Sequence, residues 1–188
     1  MDPDCDPKQG PVHVVTVEPL FLSKFEMTQG QWLRFTGENP SSLNPALKSH
    51  EIDLRHPVEW VSWTDCSQVL ARMSLELPTG AQWEHACRAG TEGSNIFNVP
   101  RILLPRYARF ESECSISVGS FLPNDWGLFD TYGNVWEICH NKVTADRARL
   151  QGASYKARTR LAGMFDYFTV NLKDLYSHSI GFRLARTH

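Results

Sequence analysis

The sequence predicts an α+β fold with small antiparallel sheets, few short helices and much irregular structure. Three observations carry this. Three separate capping signals each precede only two to three turns of helical spacing. The β-prone runs are short and scattered, and 12 Gly and 11 Pro punctuate the chain. The stretch Gly119 to His140, GSFLPNDWGLFDTYGNVWEICH, surrounds Trp126, Phe129, Tyr132 and Trp136 with Gly, Asn and Asp turn formers. Ordinary solvent loops do not carry so many large rings, so this stretch reads as a packed irregular core held by side chains rather than by a regular ladder.

Strands are expected first at Val12 to Val17 and at Leu20 to Lys24. Thr28 with Gln31 makes a capping box before GQWLRF. Ser62 with Asp65 starts WTDCSQVLARMS, where Cys66, Val69, Leu70 and Met73 recur at helical spacing. Thr79 with Gln82 makes another box for AQWEHACRA, stopped by Gly90. From Gly90 to Val118 no clean period survives, which reads as a long excursion with a turn or two. Further strands are expected near Arg149 to Tyr155 and at Gly181 to Arg186.

The 188 residues fit a single domain, 1–188, large enough to bury a sizeable core. The hydrophobic fraction of 41% and charged fraction of 21% are those of ordinary globular proteins. A formal net charge of -2 gives no reason to expect nucleic acid as a partner. No apolar run is long enough to span a bilayer, and the opening MDPDCDPKQGP is the wrong chemistry for a signal peptide, so a cytoplasmic location is expected.

The cysteines Cys5, Cys66, Cys87, Cys114 and Cys139 are odd in number and widely spaced. That argues against a disulfide framework or a zinc knuckle, and Cys66 and Cys87 read as small buried helix residues. The histidines His13, His50, His56, His85, His140, His178 and His188 show no metal-binding spacing.

The order of motifs FLSKFEMTQGQWLRFTG, HPVEWVSWTDCSQVLARMSLELPTGAQWEHACRAGT, PNDWGLFDTYGNVWEIC, LQGASY and GFRLAR resembles the formylglycine-generating enzyme (sulfatase-modifying factor) family. That resemblance implies a variant of the C-type lectin fold from about His13 to Arg186. Catalytic members bind copper(I) through two cysteines before the terminal GFR and oxidise a substrate cysteine to formylglycine with oxygen. Here no cysteine follows Cys139, and the corresponding positions fall close to Arg160 and Phe165. Soft thiolates are what copper(I) demands, so no copper is expected.

The resemblance also implies a structural calcium held by the Asp130 side chain, the Gly133 and Val135 carbonyls and the Glu137 carboxylate. Hard oxygens of mixed origin in one tight loop suit calcium, and magnesium or sodium would fit the same donors. The alternative is that Asp130 and Glu137 only cap turns and accept from backbone amides. On this reading Trp126, Phe129 and Trp136 form the core around the ion. A second calcium of some members is not expected, because Asn95-Ile96 is present but no Asp stands between Glu111 and Val118.

With copper chemistry gone, the segment 155–179 is the expected functional face, since the lectin-like fold exposes it. Its candidate ligand- or partner-binding residues are Tyr155, Lys156, Arg158, Arg160, Tyr167, Phe168, Lys173, Tyr176 and His178. Aromatics with arginine are enriched at binding hot spots, although Leu161, Phe165, Leu175 and some of the rings could equally face inward. The leading reading is a non-catalytic domain binding a protein or a small ligand, with a variable protein of a diversity-generating retroelement as one form of it. The alternatives are a formylglycine-generating oxidase or other oxidoreductase with a relocated site, and a toxin-immunity or structural subunit.

Overall fold

A computed structural model describes residues 14–46, 52–92, 101–144, 147–157, 168–171 and 176–187. In chain order these form β1 (Leu20–Leu22), α1 (Gln29–Thr36), α2 (Trp63–Ala71), α3 (Gly80–Arg88), a 3-10 helix (Arg101–Arg106), β2 (Trp136–Thr144), β3 (Arg147–Gln151), β4 (Phe168–Asn171), β5 (Ile180–Gly181) and β6 (Ala185–Thr187). The α+β class is as the sequence predicts.

All three helices start where a capping box starts them. Thr28, Ser62 and Thr79 hold extended backbone, each accepts from the amide three residues on, and Gln31, Asp65 and Gln82 reach back to the cap amide. Each box satisfies two amides that a helix end would otherwise leave without partners. Helix α1 stops at Gly37, whose φ of 82° is left-handed. Helix α3 turns left-handed one residue before the expected stop, at Ala89 with φ 47°, and Gly90 follows at φ 87°.

The strands form two sheets. One pairs β1 with β6, and the other runs in the order β4-β3-β2-β5. Within the second sheet β2–β3 and β3–β4 are antiparallel, while β2 and β5 are parallel through Trp136↔Ile180 and Glu137↔Gly181. The sheet is therefore mixed rather than purely antiparallel. The expected strand 181–186 is divided: Gly181 pairs in one sheet, and Ala185 and Arg186 pair in the other. Residues 14–17 are irregular, and the rest of the expected first strand lies outside the described residues. The long excursion contains the 3-10 helix.

Strand β2 buries both of its faces. Ile138 packs with Cys66, Val69 and Leu70 of α2 and with Ala148 and Leu150 of β3, whereas the next residue, Cys139, packs with Trp83 and Cys87 of α3 and with Tyr132. Alternation along one strand thus joins two apolar clusters. Cys66, Cys87 and Cys139 are buried small residues within them. The amide of Met27 donates to Phe182 O at 2.8 Å and that of Val58 to Met27 O at 2.8 Å, which lock the start of α1 to the chain end.

Candidate functional site

The segment 119–135 has no regular secondary structure. Five left-handed residues bend it sharply: Gly119 at φ 75°, Gly127 at φ 79°, Asp130 at φ 55°, Gly133 at φ 93° and Asn134 at φ 54°. At Gly133 only glycine fits twice over, because a Cβ there would lie 2.6 Å from Arg109 O. Side chains from distant segments replace the missing ladder. The Gly119 amide donates to Asp130 Oδ2 at 2.7 Å, and Asn124 Nδ2 donates to the last carbonyls of α3, Ala86 O at 2.9 Å and Cys87 O at 3.1 Å. Asn134 Nδ2 donates to Glu26 Oε2 at 2.5 Å, and the Val135 amide donates to Glu26 Oε1 at 3.2 Å.

Arg183 stands at the centre of this network, with its side chain 0% exposed. Its Nε donates to Glu137 Oε2 at 2.6 Å and its Nη2 to Glu137 Oε1 at 2.7 Å. It also donates to Ser23 O at 3.2 Å and Phe129 O at 3.0 Å, so one guanidinium ties the end of β1, the loop and β2 together. Trp83 Nε1 donates to Glu137 Oε2 at 2.6 Å, so Glu137 receives donors on both oxygens. The sequence identified Glu137 but not its partners, since Arg183 and Trp83 lie 46 and 54 residues away.

Three buried carboxylates, Glu26, Asp130 and Glu137, therefore share one buried guanidinium. Burial pushes the Glu26 carboxyl well above its ordinary range, and the charges of Asp130 and Glu137 push the same way. Burial also raises Asp130, against the Gly119 amide and Arg183. The oxygen donors of this loop match calcium in chemistry, but Glu137 would have to share its carboxylate with Arg183. Among the described residues, no group of three or more His, Cys, Asp or Glu side chains converges as a metal site would require.

The rings of the loop divide differently from expectation. Tyr132 is buried, while Trp126 is 50% exposed, edge-on to His85 at 5.0 Å between ring centroids. Phe129 and Trp136 are half-buried. Leu128, Tyr132, Val135 and Ile138 fill the core positions instead.

On the expected binding face, Tyr155 is not at the surface. It is 0% exposed, its amide donates to Asn134 O at 2.8 Å and its hydroxyl to His178 O at 3.4 Å, so it supports the face from beneath. Lys156 is exposed and meets His178 through Nζ and Nε2, and Tyr176 is 47% exposed. Arg158, Arg160, Tyr167 and Lys173 lie outside the described residues, as do Asn95, Ile96, Leu161, Phe165 and Leu175. Phe168 opens β4. The structure adds a residue that the sequence reading missed: Trp60, 43% exposed, with its ring centroid 6.5 Å from that of Tyr176.

Burial raises Cys66 well above the ordinary thiol value, Cys87 to about 12, and Cys139 higher still. No described helix is long and apolar enough to cross a membrane.

Comparison with known proteins agrees with this architecture. Residues 1–188 match the family described as "Sulfatase-modifying factor enzyme 1-like domain". The mouse "Inactive C-alpha-formylglycine-generating enzyme 2" is 31% identical over 250 residues, covering 97% of this chain and 80% of that protein. The mouse "Formylglycine-generating enzyme" is 29% identical over 171 residues, covering 71% of this chain but 45% of that protein. The chain thus spans about half the length, or less, of several curated relatives that it matches. Among solved structures, Treponema denticola variable protein 1 superposes with a TM-score of 0.79 at 21% identity, covering 90% of this chain and 84% of that one. PvdO from Pseudomonas aeruginosa superposes with a TM-score of 0.81 at 20% identity, covering 100% and 88%. At these identities the structural likeness speaks for the fold.

Proposed function

The chain belongs to the sulfatase-modifying factor enzyme 1-like family, and we propose that it is a non-catalytic member that binds a protein or small ligand through the face around residues 155–179. The observation that carries this reading is the group formed by the exposed Lys156 and Tyr176 with the half-buried His178, set over the buried Tyr155. No cysteine follows Cys139, and the buried thiols at Cys66, Cys87 and Cys139 hold their protons. One relative in the comparison is itself named inactive, and one structural neighbour is named a variable protein. A segment diversified by a retroelement is the finer form of the proposal. Sequencing of the coding region for 155–179 across isolates tests it, and an invariant segment sinks it.

The oxidase reading has one observation behind it, the relatives named formylglycine-generating enzyme. Incubation with copper(I), oxygen and a Cys-x-Pro-x-Arg peptide separates the two. A peptide thiol left intact in the mass spectrum is the outcome expected here, and conversion to the aldehyde overturns the binding-only reading.

A structural calcium at Asp130, Gly133, Val135 and Glu137 is part of the proposal. Its support is the donor chemistry, the buried Asp130 and Glu137 carboxylates with main-chain carbonyls in one tight loop, which suits a hard cation. Bound there, the ion would supply fixed positive charge and stiffen the loop beneath the binding face.

A further inference from the structure

We propose that Trp60 and Tyr176 are the two walls of a site for an arginine side chain of a protein partner, with Asp65 as its anionic end. This inference rests on the binding reading above and names the partner's chemistry.

Trp60 is the starting observation. Its backbone is left-handed at φ 64°, between Glu59 and Val61, which are 0% and 1% exposed. A bulky residue in that conformation is strained, and glycine would adopt it freely. Burial does not return the cost, because the residue stands 43% exposed. A large ring held in strained backbone and presented to solvent is the pattern of a residue kept for contact rather than for packing.

Tyr176 faces it. The ring centroids are 6.5 Å apart at an interplanar angle of 52°, so the rings form an open V. The Tyr176 hydroxyl donates to Asp65 Oδ2 at 3.4 Å, and the same oxygen accepts from the Ser62 amide at 2.9 Å and the Ser62 hydroxyl at 2.6 Å, which fixes the carboxylate at the start of α2. Two ring faces offer negative π density, and the carboxylate adds formal charge; together they select a cation. Among the described residues, Lys156 is directed elsewhere, since it meets His178 and lies 5.9 Å from the Tyr155 ring centroid.

Two features favour a guanidinium on a protein. A planar guanidinium stacks on a ring and bonds a carboxylate with the same fork, which an ammonium cannot do. The V is also open, with both residues nearly half in solvent, so the occupant must arrive with a surface of its own.

The test is titration of the full chain with N-acetyl-Gly-Arg-Gly-amide and its citrulline twin, which keeps the shape and removes the charge. The Trp60 indole and Tyr176 ring resonances are followed by NMR. The arginine peptide is expected to shift both saturably, with the citrulline peptide about tenfold weaker or worse. Trp60→Gly relieves the strained backbone, so it should keep or raise Tm while weakening the arginine peptide about tenfold; Asp65→Asn should narrow the arginine-to-citrulline ratio. No shift, equal shifts from both peptides, or unchanged affinity in Trp60→Gly overturns the proposal. A native partner captured equally by wild type and Trp60→Gly sinks this site and leaves the binding reading standing, whereas peptide oxidation in the copper assay sinks the binding reading itself.

Discussion

Arg183 and Glu137 form a two-pronged ion pair of 2.6 and 2.7 Å with side chains 0% and 1% exposed, and this pair joins the end of the chain to the irregular loop. Loss of either partner leaves a charge buried without its counter-ion, which costs about 3–5 kcal/mol. Arg183→Ala should therefore be largely unfolded or show a urea midpoint far below wild type. Arg183→Lys should recover only part of the loss, because a single ammonium cannot hold both Glu137 oxygens together with Ser23 O and Phe129 O. A wild-type midpoint in Arg183→Ala would refute this account of the loop.

Gly133 offers a test of the same loop through backbone alone. Alanine there adds a Cβ 2.6 Å from Arg109 O at a φ of 93°, so steric clash and strain act together. A loss of about 2 kcal/mol or more is expected in denaturant titration. Gly37→Ala is the matched control, since its φ is 82° but nothing lies within 4 Å of the added carbon; it should lose clearly less.

The local features of this fold were legible in the sequence and the distant ones were not. The capping boxes at Thr28, Ser62 and Thr79 involve residues three apart, and all three hold. The turn-rich, ring-rich composition of 119–135 marked an irregular core. What that segment bonds to was hidden: Glu26 reaches Asn134 across 108 residues and Arg183 reaches Glu137 across 46. The division of 181–186 between two sheets was equally out of reach, because strands of two and three residues carry no period that separates them. Tyr155 and Trp60 show the limit for the site. Both are aromatic residues beside polar neighbours, yet one is buried and the other exposed, and only the tertiary pairing with Asn134 and Tyr176 decides which.

Glu59 makes stability fall as pH rises. Its carboxylate is buried and accepts from the Leu43 amide at 2.6 Å and from the Ser42 hydroxyl, but desolvation outweighs these bonds and holds its proton affinity above the ordinary 4.5. Above 4.5 the unfolded chain has lost this proton while the folded chain still keeps it. The folded state binds more protons, so its stability declines through the window from 4.5 up to the raised value and is level beyond it. Glu59→Gln should remove that part of the slope. Urea midpoints for both proteins between pH 4 and pH 7 give the comparison, and parallel curves would show that Glu59 does not titrate in this way.

The proposed calcium predicts a rise in Tm when the ion is added to chelator-treated protein, since a ligand that binds only the folded state stabilises it by mass action. Asp130→Asn keeps a side-chain oxygen for the Gly119 amide and removes one of the charges that such an ion would balance, so it should lose most of that rise. An unchanged Tm in the wild-type protein removes the metal from the account and leaves Arg183 as the cation of the loop.

Tyr155 and Tyr176 give opposite expectations although both belong to the segment read as the binding face. Tyr155 is fully buried beneath it, and truncation to Ala opens a cavity that costs about 3–5 kcal/mol by analogy with other large aromatic truncations. Tyr176 is 47% exposed, and its replacement by Ala should change stability by no more than about 0.5 kcal/mol. Partner binding therefore separates the two causes of loss. Tyr176→Ala should bind less while melting as wild type does, and Tyr155→Ala should lose binding in step with Tm. Tyr155→Phe keeps the ring and removes only the 3.4 Å bond to His178 O, so it should bind normally. Weak binding by a stably folded Tyr155→Phe would mean that the hydroxyl itself reaches the partner, which its burial does not allow.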